Sequence, residues 1–358
     1  MKNSIYISLC LGSVLILNSC SNRYYSEADF LKVKKYDTHI HCNSASTVFV
    51  DQATTDNFNL LFVNVDVPGL PPVDKQFEFA SLQHKHFPDK VNFVTAFTLA
   101  NFDSANWSDE IIARLKTDFA AGALGIKVWK NIGMTYKDKS NHFIMIDDPK
   151  FDPVIDYLIQ QDKTVIGHLG EPKNCWLPIE KMTVNSDKEY FSEHPEYHMF
   201  LHPEYPSYED QINARDRFLE RHPKMRFVGA HLGSLEWSID ELAKRLDKFP
   251  NMAVDMTERI CHLQFQSKVD RDKVRNFFIK YQDRLIYGTD FGFDANTNMG
   301  KVKKELHEVW IKDWKYFVTN ETMTAKQFDG EFKGLQLPRG VVDKIYHANA
   351  VRWFKIIE

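Results

Sequence analysis

Along the chain, short runs of β-branched and aromatic residues alternate with longer stretches whose apolar positions return every three to four residues. The runs cover Tyr36 to His41, Leu60 to Asp66, Asn92 to Phe97, Leu124 to Trp129, Thr164 to His168, Arg226 to His231, Met252 to Asp255 and Leu285 to Tyr287, which makes eight strand candidates. The stretches between them carry helix punctuation. Ser108 reads as an N-cap with Asp109 and Glu110 in the first turn, Ile112, Leu115 and Phe119 form a stripe, and Gly122 is the stop. Asp152-Pro153 opens another helix with proline in its first turn. Ile239, Leu242, Leu246 and Phe249 line one face of a later helix, and Val274, Phe277 and Tyr281 line a face of the next. The first crossover, residues 44–58, is polar and poorly helical, and is the weakest link in the series.

Eight strands separated by helices predict an α/β fold of the closed (β/α)8 TIM barrel type over residues 36–358. An open doubly wound sheet would need fewer strands and often a glycine-rich nucleotide turn, and no GxGxxG or GxxxxGK[ST] occurs. Pro172 to Tyr208 is too long for an ordinary loop. It predicts an insertion after strand five, residues 172–208, that forms a lid or pocket wall on the face where barrel loops shape substrate sites.

Ahead of the barrel, Lys2 precedes an apolar run from Ile5 to Leu17. It is shorter than the roughly 20 residues needed to span a bilayer and fits a signal peptide over residues 1–19. The run closes on Leu17-Asn18-Ser19-Cys20, which resembles a bacterial lipobox. That resemblance implies a diacylated Cys20, a tether over residues 20–35, and export across the inner membrane to a lipid-anchored position on the periplasmic or outer-membrane side.

Composition narrows the partners. With 45 Lys plus Arg against 49 Asp plus Glu, dispersed along the chain, nothing suggests a nucleic-acid surface or a polybasic membrane patch. The 27 Phe and 7 Trp can fill a large core, so the expected partner is a small-molecule substrate; a homodimer is left open. Removing the leader deletes Cys10, and acylation would consume Cys20. Cys42, Cys175 and Cys261 then remain, an odd set without regular spacing that reads as free buried thiols, not a disulfide framework.

The chemistry sits at strand ends. Residues two apart on a strand face the same way, so His39 and His41 in Asp37-Thr38-His39-Ile40-His41 can both aim into the barrel as half of a metal site. His84 and His86 share that spacing but end a helix-like run, and read as surface residues. Strand five closes on His168, strand six on His231 and strand eight on Asp290, while strand four carries Lys127. The carboxyl ends of barrel strands converge on one mouth, so these metal-competent groups become neighbours.

From DTHIH through GHLGEP, FVGAHLGS and IYGTDF to Tyr346-His347-Ala348-Asn349-Ala350, the sequence resembles the amidohydrolase superfamily, in particular its decarboxylase/lactonase-like branch of metal-dependent TIM-barrel enzymes. The resemblance implies that His39, His41, His168 and Asp290 bind one divalent metal and that His231 is the strand-six histidine. It also implies that Lys127 matches the lysine that, carbamylated, bridges two metals in binuclear members, in which His231 would hold the second ion.

Three neutral imidazoles and a carboxylate suit a borderline ion, Zn2+ first and Mn2+ next, one or two per chain. Such an ion lowers the pKa of bound water towards about 7. Asp290 would then take the proton as general base and return it as acid, and His231 would polarise the scissile carbonyl. Asp37 can orient a ligand imidazole or merely start the strand. Lys127, Lys130 and Arg259 give the mouth a cationic side suited to a carboxylate or phosphate, Trp129 and Trp176 offer stacking surfaces, and Glu171 can read a hydroxyl or cap its loop. Asp255 and Glu258 form the one carboxylate pair that glycosidase chemistry would need, and no strand end claims them as firmly. The sequence therefore predicts a metal-dependent hydrolase of a carboxylic ester, lactone or amide. Non-oxidative decarboxylation at the same metal, and a lipoprotein that binds ligand without catalysis, are the alternatives.

Overall fold

The computed structural model describes residues 23–293 and 297–358. The leader and Cys20 lie outside the described residues.

Among the described residues, nine strands form one parallel sheet: β1 Lys35–His41, β2 Phe58–Val63, β3 Val91–Ala96, β4 Gly125–Val128, β5 Thr164–Gly167, β6 Arg226–Gly229, β7 Met252–Asp255, β8 Leu285–Ile286 and β9 Phe291–Gly292. Each of β1 to β8 pairs with the next, and β9 pairs with β1. The eighth barrel position is thus split into two short strands. Its first half bonds β7; further along, Thr38 N–H donates to the Tyr287 carbonyl at 3.1 Å and Asp290 N–H to the His39 carbonyl at 2.8 Å, closing the ring. The TIM barrel expected from the strand count is the fold.

Inside the barrel, Tyr36, Leu61, Val94, Ile166, Val228, Ala253 and Ile286 form one apolar cluster with Trp353 and Phe354 of the C-terminal helix Asn349–Phe354. Thr164, the first residue of β5, donates its hydroxyl to the Trp353 carbonyl, so that helix plugs the end where the strands begin. The opposite rim, where the strands finish, is left to carry the site. Outside the barrel, a second and larger cluster packs strand residues such as Phe62, Phe93, Ile126 and Phe227 against the helices.

The first crossover is better ordered than its composition suggests. Residues Val48–Asp56 form a helix that buries Val48, Phe49, Val50 and Ala53, and Asn57 ends it at φ 58°. The helix expected to start at Ser108 starts at Trp107, whose buried indole anchors the first turn; Ser108 donates its hydroxyl to the Lys150 carbonyl at 3.0 Å instead of capping. Gly122 follows that helix at φ 106°, and Asp152-Pro153 opens Asp152–Gln160 as expected. Residues 172–208 carry short turns, the helix Asn185–Glu193 and a small core of Cys175, Met182, Phe191 and Met199. The chain also forms an antiparallel hairpin, β10 Thr322–Ala325 and β11 Phe328–Lys333, in addition to the eight strands expected.

Candidate active site at the barrel mouth

A bulge in β1 aims the first two histidines. Asp37 pairs with Leu60 but Ile40 pairs with Phe62, three steps against two. Alternation is thereby reset: Tyr36 joins the barrel interior and Ile40 the outer cluster, while His39 and His41 turn to the mouth. Asp290 arrives from the link between β8 and β9 at φ 66°, and His231 leaves β6 at φ 56°. Both backbones occupy the left-handed region that non-glycine residues pay strain to enter, as functional positions often do.

Three imidazoles converge on one carboxylate. The Nε2 atoms of His41 and His39 lie 3.0 Å and 3.2 Å from Asp290 Oδ1, and His231 Nε2 lies 3.8 Å from Oδ2. Each ring is fixed from its other side: His41 Nδ1 donates to the Val63 carbonyl at 2.8 Å, His39 Nδ1 to Asp255 Oδ2 at 2.9 Å and His231 Nδ1 to the Thr257 carbonyl at 3.0 Å. Those bonds place the protons on Nδ1 and leave Nε2 lone pairs facing a carboxylate. Lone pairs against an anion repel unless a cation lies among them. His39, His41 and Asp290 offer ligand atoms within 4.8 Å of one another, and His168 Nε2 is buried with no hydrogen-bond partner among the described residues. The donor set therefore fits a divalent cation. His168 falls outside that tight trio; its ring packs on His231 with centroids 4.1 Å apart.

Protonation agrees with this. Burial pushes His231 down to about 3, with Arg259 and Lys127 adding to the effect, and burial holds His39 below and His168 well below the usual histidine value. Burial works to raise Asp290, but His39, His231 and His41 outweigh it and hold the carboxyl well below the ordinary range. Asp255, with burial likewise opposed by His39, His231 and Lys127, falls to about 2. Neutral imidazoles and ionised carboxylates are the forms that ligate metal. Lys127 is fully enclosed; burial lowers its amine to about 8, and Nζ donates to His39 Nε2 at 2.8 Å.

A cavity of about 820 Å³ opens above these groups and is lined by five of the six residues expected to meet substrate: Lys127, Trp129, Lys130, Glu171 and Arg259. Lys130 and Glu171 pair with each other, which removes one of the expected free cations. Trp176 does not line it: the indole donates to the Pro206 carbonyl at 3.3 Å and packs on Tyr208. Asp37 touches no imidazole ring. Its carboxylate accepts from Thr289 N–H and hydroxyl, at 3.0 and 2.7 Å, and from the Trp310 indole at 2.9 Å, tying β1 to the Asp290 segment. The imidazole-orienting carboxylate is Asp255, which also accepts from His231 N–H at 2.8 Å. It stands at the end of β7, the same height that singled out Asp290. His84 stays away from the mouth, bonded to the Val91 carbonyl, and Cys42, Cys175 and Cys261 are free thiols, the last only partly buried in the cavity wall.

A closed parallel barrel with histidines and an aspartate gathered at its carboxyl rim defines a metal-dependent TIM-barrel enzyme. Residues 90–356 match the family described as "Amidohydrolase", three quarters of the chain, and the chain belongs to that family. Among curated proteins none matches it by sequence. Its fold is shared with an uncharacterised TIM-barrel protein, Bb4693 from Bordetella bronchiseptica, at 14% identity, a TM-score of 0.52, and coverage of 90% of this chain and 99% of that one. It is likewise shared with the 2,6-dihydroxybenzoate decarboxylase from Rhizobium, at 14% identity, a TM-score of 0.51 and the same coverage.

Proposed function

We propose that the chain is a hydrolase of a carboxylic ester, lactone or amide, with Asp290 as general base and acid. The observation that carries this reading is the Asp290 carboxylate set 3.0, 3.2 and 3.8 Å from the Nε2 atoms of His41, His39 and His231 at the floor of an open cavity. His39, His41, His168 and Asp290 would hold the ion, zinc by donor preference with manganese next. When bound, a divalent cation supplies Lewis acidity that acidifies water and polarises a carbonyl. The remaining work belongs to the chain. Asp290 takes a proton from the attacking water and passes it to the leaving group; His231 Nε2, a lone pair facing the same space, accepts a hydrogen bond from that water, and would polarise the carbonyl oxygen only once protonated. Lys127, Trp129, Lys130, Glu171 and Arg259 form the walls that orient substrate. Lys127 stays an amine beside His39, not a bridge between two ions.

The test combines metal removal with Asp290→Asn. Thorough chelation should abolish ester, lactone and amide turnover, restoring the metal should return it, and Asp290→Asn should fold yet lose at least about a hundredfold in kcat. Undiminished turnover by metal-free protein defeats the proposal.

Likeness in fold to a decarboxylase supports a second reading, loss of carbon dioxide from a substrate carboxylate with a solvent proton taking its place. Hydrolysis carries one oxygen of 18O-labelled water into the product, whereas decarboxylation carries none into the released acid-derived fragment. We further propose that an acylated Cys20 holds the enzyme at a membrane surface; Cys20→Ala should move it from the membrane to the soluble fraction of disrupted cells.

A further inference from the structure

The cavity has a second polar wall that takes no part in the metal centre. Arg259 and Gln264 reach it from the start of the helix Ile260–Lys280, Asp187 from the helix Asn185–Glu193 of the insertion, and Gln327 from the turn between β10 and β11. Among the described residues, buried polar atoms here go without hydrogen-bond partners: Arg259 Nε, Gln264 Nε2 and Gln327 Oε1, and also His262 Nε2, which stands 3.5 Å from Asp187 Oδ2. Gln264 lines the cavity yet is only 2% exposed. Each buried donor or acceptor left unmet costs about 1–3 kcal/mol, and native interiors keep such atoms few and scattered. Gathered in one cavity wall, they mark a place where an occupant completes the bonding.

The unmet atoms say what the occupant is. Donors and acceptors are interleaved, while a carboxylate or phosphate brings acceptors alone. The Arg259 guanidinium is also already set among the carboxyl groups of Asp187, Glu258 and Glu236, which leave little of its charge unmatched for an anion. A hydroxyl both donates and accepts, and adjacent hydroxyls do so in two directions. Trp129 and Tyr190, lining the same cavity, supply apolar faces for the carbon skeleton between them.

We propose that this wall is a specificity subsite for a neutral, polyhydroxylated part of the substrate, its hydroxyls accepting from Arg259 and Gln264 and donating to Asp187 and Gln327. The reading replaces anion recognition as the task of Arg259, and its kinetic test rests on the hydrolytic function proposed above.

Three lactones with one ring isolate the effect: γ-butyrolactone, its 2,3-dihydroxy derivative and its 3-carboxy derivative, followed by acid release with the metal-loaded enzyme. The dihydroxy compound should exceed the parent at least tenfold in kcat/KM, the carboxy compound should gain nothing, and Gln264→Leu should cut the dihydroxy-to-parent ratio at least fivefold. Because that change trades an unpartnered donor for an apolar group of similar volume, its Tm should equal or exceed that of the parent enzyme, which separates lost recognition from lost structure. A ratio near one, or a preference for the carboxy compound, overturns the subsite. If no lactone opens, lactone hydrolysis is excluded and calorimetric titration with sorbitol and with adipate decides the subsite alone. Saturable sorbitol binding weakened by Gln264→Leu upholds it; tighter adipate binding, or no sorbitol binding, overturns it.

Discussion

Asp255 and His39 form a fully buried pair, the carboxylate Oδ2 2.9 Å from the imidazole Nδ1. The bond fixes which nitrogen of His39 carries the proton and so which one faces Asp290. Asp255 Oδ1 simultaneously accepts the His231 N–H at 2.8 Å and the Thr257 hydroxyl. One carboxylate thereby sets a ring from β1 and the backbone of a residue from β6.

Replacing Asp255 by Asn keeps the shape but can present an amide N–H to His39 Nδ1, which favours the opposite tautomer. Partners of this kind typically contribute 10–100-fold to metal affinity or activity. Asp255→Asn should therefore lose about that factor in metal affinity, read by competition with a chromogenic chelator, while circular dichroism shows the fold intact. Unaltered affinity would reduce Asp255 to a packing role.

Lys127 calls for a different measurement. Its Nζ shares His39 Nε2 with the cation position, so a charged amine there opposes a cation. Freshly purified protein should hold one ion per chain, and Lys127→Met should retain it with equal or higher affinity. Elemental analysis showing two ions, one of them lost in Lys127→Met, would assign Lys127 as a bridging carbamate.

How much of this was legible beforehand depends on how local the cause is. Strand positions and the histidines that end β5 and β6 follow from apolar runs a few residues long. The bulge between Asp37 and Ile40 does not, because it is set by pairing with Leu60 and Phe62 and by closure against Tyr287. Alternation alone correctly puts His39 and His41 on one face, yet it would have sent Tyr36 to the other. In sequence Asp255 reads only as half of a glycosidase-type carboxylate pair with Glu258, for a similar reason: nothing near it announces an imidazole that comes from residue 39. The helix Val48–Asp56 is obscured by polar neighbours, although six of its residues are buried. Asp187, Gln264 and Gln327 meet only through the tertiary fold.

Gly288 tests how tightly the last strand must approach the first. A Cβ placed there would lie 3.0 Å from His39 Cβ and 3.3 Å from His39 N, with Thr257 at 3.4 Å. Neither backbone can yield without moving Asp290, two residues on, relative to His39. Gly288→Ala should cost about 1–3 kcal/mol by urea denaturation, the usual range for overpacking. It should lower kcat more than it raises KM, because the displaced groups are the reacting ones. A variant as active as the parent would show that β8 has slack.

Stability should also carry a pH signature from Lys35, a fully buried lysine at the start of β1. Its amine donates to the Phe30 carbonyl and, at 2.7 Å, to the Val33 carbonyl, and lies 4.4 Å and 4.7 Å from the ring centroids of Phe30 and Phe58. Burial nevertheless dominates and lowers the pKa from 10.5 to about 7, against a smaller opposing pull from Asp56. Between those two values the folded protein has released a proton that the unfolded chain still binds. Stability from this group must then rise with pH across the window, by at most about 1.4 kcal/mol per unit, and level off on either side. Lys35→Met removes the titrating group, so urea unfolding at pH 7 and pH 9 should show a steeper gain for the parent than for the variant. Equal slopes would mean that the two carbonyls and the aromatic faces keep Lys35 charged in the folded state, and that burial is not the term that wins.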